Sequence, residues 1–264
     1  MRIVSWNINS VRIRLQQIQN FCETQKPDIL CLQETKVQDQ QFPIDILKSF
    51  GFEYLCFRGE KSYNGVAILS KVPLTNINKI DMVGTTDARH ISAVLPNNIE
   101  IHNFYIPAGG DEPDIDINPK FKFKLEFLDY MEQWFRKNRQ SSNKIIILGD
   151  FNIAPLEHDV WSSKQLKNTV SHTDIERKKL IQLMQDFNWI DTARKFIPQE
   201  EKTYSWWSYR NKDWKQSNRG RRLDHIWVTQ PLASNLLSYQ VIQDLRGCEK
   251  PSDHAPILLN LLPK

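Results

Sequence analysis

Apolar runs of strand length recur along this chain, and five short polar motifs sit at their ends. The motifs are Trp6-Asn7, Gln33-Glu34-Thr35, Gly149-Asp150-Phe151-Asn152, Arg222-Leu223-Asp224 and Ser252-Asp253-His254. A carboxylate or amide at the end of a buried strand is poorly placed for packing and well placed for chemistry. The first two motifs also constrain topology. Arg2 to Ile8 reads as a strand, and Val11 to Glu23 carries apolar residues at helical spacing (Val11, Leu15, Ile18, Cys22). Lys26-Pro27-Asp28 breaks that helix, and Ile29 to Gln33 reads as a second buried strand. A strand-helix-strand unit with short links places its two strands parallel. The carboxyl ends of both strands then point the same way, and Asn7 and Glu34 are brought to one side.

Further strands are predicted over Phe52–Phe57, Gly65–Leu69, Ile91–Leu95, Ile99–Ile106, Lys144–Leu148, Tyr204–Tyr209, Leu223–Thr229, Leu237–Ile242 and Ala255–Leu262, and helices over Phe121–Phe135 and Glu176–Phe187. Many strands with helices at intervals predict an α/β fold of two sheets packed face to face, with helices outside. No linker interrupts the motifs, so residues 1–264 read as one domain. Two loops stand out. Pro107 to Pro119 is acidic, and Arg210 to Arg222 holds six basic residues against one acid.

The net charge of +4 permits an anionic partner without demanding one. The four cysteines form no CxxC pair or zinc spacing, and Cys31 and Cys56 lie inside apolar runs, as buried thiols of a reducing compartment do. The longest apolar runs are too short to span a bilayer, and strand-like sequence begins at Arg2 with no signal segment before it. These features predict a soluble cytoplasmic protein with no membrane partner, expected to be a monomer.

Glu34 is the best single candidate for a metal ligand. A hard divalent cation needs only one or two carboxylates because it keeps several waters, and Asn7 can add a carbonyl oxygen. A solvated strand-end carboxylate or a helix cap is the bland alternative. Asp150 and Asn152 share a face if their strand continues. The carboxylate can then orient or deprotonate a water, and the amide can donate to a phosphate oxygen. A simple Asp-Phe-Asn turn competes with that reading. Asp224 and His254 resemble a carboxylate–imidazole pair, and Asp253 can join a metal shell. Tyr105 ends an apolar strand and reads either as a packing aromatic or as a phosphate-facing hydroxyl. Trp206, Trp207 and Tyr209 precede the basic loop, where aromatics beside Arg and Lys suit nucleic acid.

From Ile3-Val4-Ser5-Trp6-Asn7 to Lys250-Pro251-Ser252-Asp253-His254, the chain closely resembles the exodeoxyribonuclease III family of abasic-site endonucleases. The resemblance implies a four-layer α-β-β-α sandwich with two packed mixed sheets. It also implies Mg2+ or Mn2+ as cofactor, and double-stranded DNA with abasic sites or 3′ ends as partner. Glu34 then corresponds to the principal metal ligand, with Asn7 and Asp253 close by. Asp150 corresponds to the residue that activates water, with Asn152 beside it and a second metal in reach. Asn152 and Tyr105 hold the scissile phosphate, and Asp224 orients His254. Whether Asp150 or His254 takes the proton stays open. Trp206 and Leu223 correspond to walls of the pocket for a flipped abasic sugar. Arg221 departs from the bulky apolar residue or Trp that relatives often carry. Arg219, Tyr63, Asn64 and Lys36 fall in segments that approach DNA. A phosphodiesterase of the same superfamily acting on another phosphate ester is the alternative.

Overall fold

The computed structural model describes residues 1–211 and 213–262. In chain order its first strands are β1 (Arg2–Asn7), β2 (Ile29–Gln33), β3 (Tyr54–Arg58), β4 (Val66–Ser70), β5 (Thr75–Asn78), β6 (His90–Leu95) and β7 (Ile99–Tyr105). The remainder are β8 (Ile145–Asp150), β9 (Ile190–Asp191), β10 (Trp206–Trp207), β11 (Gly220–Arg221), β12 (Asp224–Val228), β13 (Leu236–Val241) and β14 (Ile257–Leu261). They form two six-stranded sheets, ordered β13-β14-β1-β2-β4-β3 and β5-β6-β7-β8-β12-β9, with β10 and β11 as a separate ribbon.

Each large sheet has one parallel pair at its centre, β1 with β2 and β7 with β8; the other pairings are antiparallel. A parallel pair needs a crossover, and each crossover here carries a helix, Leu15–Gln25 in the first sheet and Pro119–Asn138 in the second. The first helix covers Val4, Trp6, Leu30 and Leu32 on one outer face. Pro119–Asn138 and Asp174–Asp186 cover Phe104, Ile106, Ile145 and Ile147 on the other. Ile3, Ile29, Cys31, Ile101, Ile146, Leu148, Ile226 and Ile257 meet between the sheets. This is the four-layer sandwich that the strand pattern and the family likeness predict.

The period of two along a strand explains why chemistry gathers at one end. Ile3 faces inward, so Asn7 does too. By the same parity Ile29 and Cys31 lead to Gln33, Ile101 to Asn103 and Tyr105, and Ile146 and Leu148 to Asp150. β12 runs antiparallel to β8, so its first residue, Asp224, stands opposite Asp150. The layer between the sheets is therefore apolar at one end and polar at the other. Gln33 and Asn103 join the sheets where it changes. Gln33 Nε2 donates to Ser5 Oγ at 3.0 Å and to Asn103 Oδ1 at 2.7 Å, and Asn103 Nδ2 donates to the carbonyls of Leu32 and Ala67, each at 2.9 Å.

Gly149 is held at φ +138, where an added Cβ would lie 1.9 Å from the Phe104 carbonyl oxygen. Gly149→Ala is expected to prise β8 from β7 beside Tyr105 and Asp150, at a cost of roughly 2–5 kcal/mol from strain and overpacking. Denaturant unfolding monitored by tryptophan fluorescence checks this; an unchanged midpoint would contradict it.

The basic loop is more structured than its composition suggests. Its described part forms a short helix, Trp214–Ser217, and returns as β11 against β10. Lys212 lies outside the described residues. The strand expected over Tyr204–Tyr209 shrinks to Trp206–Trp207, because the chain turns at Ser208, whose Oγ accepts from the Arg210 N–H at 3.2 Å. Arg222 is not part of the solvated charge. It is fully buried and forks onto Asp159 at 2.7 and 2.9 Å, with Asp191 at 2.8 Å.

Burial would raise the Asp159 carboxyl, but the guanidinium groups of Arg222 and Arg194 outweigh it and bring the pKa down to about 2. The pair's contribution is complete above the ordinary carboxyl pKa and is lost as pH falls through about 2. About 2 kcal/mol of stability should therefore vanish between roughly pH 4 and pH 2. Asp159→Asn is expected to lose roughly 3–5 kcal/mol at neutral pH by stranding Arg222. It should also lose that part of the acid slope, as read by denaturant unfolding across a pH series.

Candidate active site

The polar ends of the strands converge on one cleft. Its volume is ≈ 940 Å³, and Glu34, Tyr105, Asn152, Trp206, Arg219, Arg221, Leu223, Asp253 and His254 are among the residues that line it. Asp150 lies under this surface, 1% exposed. Ligand atoms of Asp150, Asp224 and His254 fall within 4.8 Å of one another.

His254 is seated between two carboxylates. Its Nδ1 is 2.8 Å from Asp224 Oδ2, and its Nε2 is 3.6 Å from Asp150 Oδ2. Burial alone would push the imidazole pKa down, but the charges of Asp224 and Asp150 outweigh it and hold it up at about 10. Ser205 fixes Asp224 from behind. Its Oγ donates to Asp224 Oδ2 at 2.6 Å and accepts the N–H groups of Leu223 and Asp224 at 3.1 and 3.0 Å. Ser252 fixes the other side, donating to the Asn7 carbonyl at 2.7 Å and accepting the His254 N–H at 3.2 Å.

Asp150 accepts from Asn7 Nδ2 at 2.9 Å, from the Asn152 backbone N–H at 2.9 Å and from Asn152 Nδ2 at 3.1 Å. Burial raises its pKa to about 7, with His254 opposing and the carboxylates of Asp224 and Glu34 adding to the rise. The strand ends at Asp150, so Asn152 does not reach the site by strand alternation. It turns in at φ +54. Its amide also donates to the Ile106 carbonyl at 2.9 Å.

Glu34 likewise sits at positive φ, +51. That conformation is costly for a residue with a Cβ, and here it turns the carboxylate off β2 and into the cleft. Glu34 accepts from Asn7 Nδ2 at 2.8 Å and pairs with Lys36 at 2.7 Å. Burial would raise its pKa; the Lys36 charge, the Asn7 hydrogen bond and His254 together lower it. The phenol of Tyr105 is pushed well above its usual pKa by burial and by the carboxylates of Glu34 and Asp150. Arg89 lies over the same ring, 4.9 Å from its centre.

The donor set suits a hard divalent cation. Glu34, Asp150 and Asp253 offer carboxylate oxygens, and the raised Asp150 marks buried negative charge that a cation would relieve. Asp224 Oδ1 has no hydrogen-bond partner among the described residues. Asn7 meets the carboxylates through Nδ2, while its Oδ1 accepts the Asn9 N–H at 3.1 Å. Asp253 accepts from Trp206 Nε1 at 2.9 Å and Asn9 Nδ2 at 3.2 Å.

At the far wall, Leu223 packs with Ala154, Val160 and Leu166, flanked by Trp161 and Trp206. Arg221 lies over the Trp206 ring at 5.2 Å, and Arg219 over Trp161 at 4.7 Å. Tyr63 is exposed, 70%, and neither it nor Asn64, both expected at the substrate, is among the residues that line the cleft; the Asn64 carbonyl accepts the Lys36 N–H at 3.0 Å, which joins this loop to Glu34. Trp207, next to Trp206, faces the other way and is buried.

The model of the endonuclease/exonuclease/phosphatase family matches residues 4–254. The chain belongs to that family. Within it, exodeoxyribonuclease III of Haemophilus influenzae is 34% identical over 97% of this chain and 98% of its own length. The structure of an AP endonuclease from Archaeoglobus fulgidus superposes with a TM-score of 0.92 at 32% identity, covering 99% of each chain. A Neisseria 3′ phosphatase, NExo, bound to product DNA hairpin, superposes at 0.91 with 32% identity and the same coverage. This family member therefore shares a fold and full length with DNA-processing enzymes.

Several residues that organise the site escaped the sequence reading. Ser205, Asn9 and Trp161 carry no local signal, whereas Ser252 lies within the Ser252-Asp253-His254 motif without a role being read for it. Lys124 does carry a signal. It falls in the buried stripe of Pro119–Asn138, between Phe121, Leu125 and Leu128, where an apolar residue belongs. Its Nζ is 2.5 Å from the buried Glu176 and donates to the Asn152 carbonyl at 2.8 Å.

Proposed function

We propose that this protein is a DNA repair nuclease that hydrolyses the phosphodiester 5′ to abasic sites in duplex DNA, with Mg2+ or Mn2+ as cofactor. The same site removes 3′-blocking groups and single nucleotides from 3′ ends. The observation that carries this reading is the seating of His254 between Asp224 and Asp150, in a cleft whose other wall is Trp206 and Leu223.

Glu34, Asp253 and Asp150 would hold the cation, with Asn7 bridging Glu34 and Asp150 and Asn152 holding Asp150. When bound, the cation supplies Lewis-acid stabilisation of the charge that builds on the phosphate. His254 Nδ1 faces Asp224 at 2.8 Å and Nε2 lies 3.6 Å from Asp150, and both carboxylates favour the imidazolium, which has no lone pair with which to take a further proton. His254 therefore contacts the phosphate as a cation, oriented by Asp224. Asp150 is left as the group that orients the attacking water and takes its proton. The hydroxyl of Tyr105, whose raised pKa keeps it protonated, donates to a phosphate oxygen, whereas the two N–H groups of the Asn152 amide are engaged by Asp150 and the Ile106 carbonyl, so Asn152 acts by holding Asp150. The abasic sugar sits against Trp206 and Leu223, and flipping costs least where no base must be unpaired.

A duplex with one abasic analogue, labelled at both ends, tests this across a metal series. Cleavage is expected only with Mg2+ or Mn2+, leaving a 3′-hydroxyl and a 5′-deoxyribose phosphate. Undiminished cleavage in excess chelator, or cleavage 3′ to the lesion, would contradict it.

A further inference from the structure

The cleft has two chemically distinct ends. Carboxylates dominate around Glu34, whereas the pocket wall beyond Trp206 carries guanidinium groups. Arg221 is the better placed of these. Its Cζ lies 5.2 Å from the centre of the Trp206 ring, and its Nη1 donates to Ser171 Oγ at 2.7 Å and to the Val170 carbonyl at 3.1 Å. Ser171 is itself fixed from below, because its N–H donates to both oxygens of the buried Glu176 at 2.9 and 3.0 Å. One side of the guanidinium is thus anchored. Nε and Nη2 have no hydrogen-bond partner among the described residues, and the side chain lines the cleft.

Connectivity decides what such a group can meet. A sugar seated on Trp206 within a strand carries only two phosphates. The one on its 5′ side is the scissile group at Asp150 and His254. The one on its 3′ side must leave the pocket past its walls. We propose that Arg221 binds this 3′-side phosphate, and so favours cleavage within a strand over trimming at a strand end. The inference rests on the function proposed above. At a 3′ terminus the seated nucleotide has no such phosphate, and the guanidinium gains nothing. A planar, permanently charged fork with one edge held by Ser171 and Val170 is suited to a phosphate at a fixed position.

The test pairs a protein change with a substrate change. Full-length enzyme and R221M, which keeps Trp206 covered, are assayed in Mg2+ on an abasic-analogue duplex. The linkage 3′ to the lesion is either phosphate or neutral methylphosphonate. The neutral linkage is expected to lower wild-type kcat/KM about tenfold or more, as for one charge-assisted hydrogen bond, and to leave R221M nearly indifferent. The ratio of abasic cleavage to 3′-terminal phosphate removal should also fall about tenfold in R221M. Equal sensitivity of the two enzymes to the methylphosphonate, or insensitivity of the wild type, would overturn the inference. Should R221M fold poorly by thermal melting, S171A provides the same comparison, since it frees Nη1 without touching the charge; a partial loss of sensitivity is then expected and none would contradict. Wild-type enzyme inert on the unmodified abasic duplex would instead contradict the proposed function itself.

Discussion

Asp150→Asn is expected to lower single-turnover cleavage of an abasic duplex by about 10²–10⁴-fold, the usual worth of a positioned general base. The change keeps the size of the side chain and removes only its charge and basicity. The site around it is built to hold that charge. Three N–H groups point at the carboxylate, from Asn7 and twice from Asn152. The buried carboxyl is nonetheless raised to about 7, so a small change of surroundings decides whether it accepts a proton. DNA affinity should hold or improve, because a negative charge near the scissile phosphate is gone. Fluorescence anisotropy with an uncleaved duplex separates the two effects. Loss of affinity in step with loss of rate would make Asp150 a binding residue and defeat the assignment.

Asp224→Asn carries the second large effect, again about 10²–10⁴-fold in kcat, as when the orienting acid of a triad is neutralised. Asp224 faces His254 Nδ1 at 2.8 Å and is gripped by Ser205, so the amide keeps the geometry and loses the charge. The pH profile gives a sharper signature than the rate. In the wild type the imidazolium is stabilised up to about 10, so the phosphate-facing cation is present across the neutral range. Without the Asp224 carboxylate the imidazole pKa drops. Its cation is then lost as pH rises through the lower value, and residual activity shifts toward acid. A variant with normal turnover, or with a profile shifted toward alkali, would contradict the orienting role.

Much of this site was legible because strand parity is legible. Once Ile3, Cys31, Ile101, Leu148 and Ile226 are inward residues, Asn7, Gln33, Tyr105, Asp150 and Asp224 follow them to the same layer and the same end. The parallel pairing of β1 and β2 follows from the short links around one helix. What stayed hidden depends on irregular backbone and on distant partners. Glu34 and Asn152 enter through positive φ, which no periodicity announces. Helix Ile44–Ser49 and strand β5 are too short and too exposed to show a pattern. Arg222 looks like loop charge until Asp159 and Asp191 are seen around it. Arg221 reads as a departure until Ser171, 50 residues away, is found to anchor it.

The central claim is that side chains from both sheets act as one catalytic unit, and a double-mutant cycle between Glu34 and His254 tests it most directly. Single-turnover rates on the abasic duplex are measured for Glu34→Gln, His254→Gln and the pair, with folding checked by thermal melting. Groups that serve one transition state fail together. The double variant is therefore expected to be about as slow as the slower single variant. Penalties that multiply in full would show two independent contributions and contradict the account.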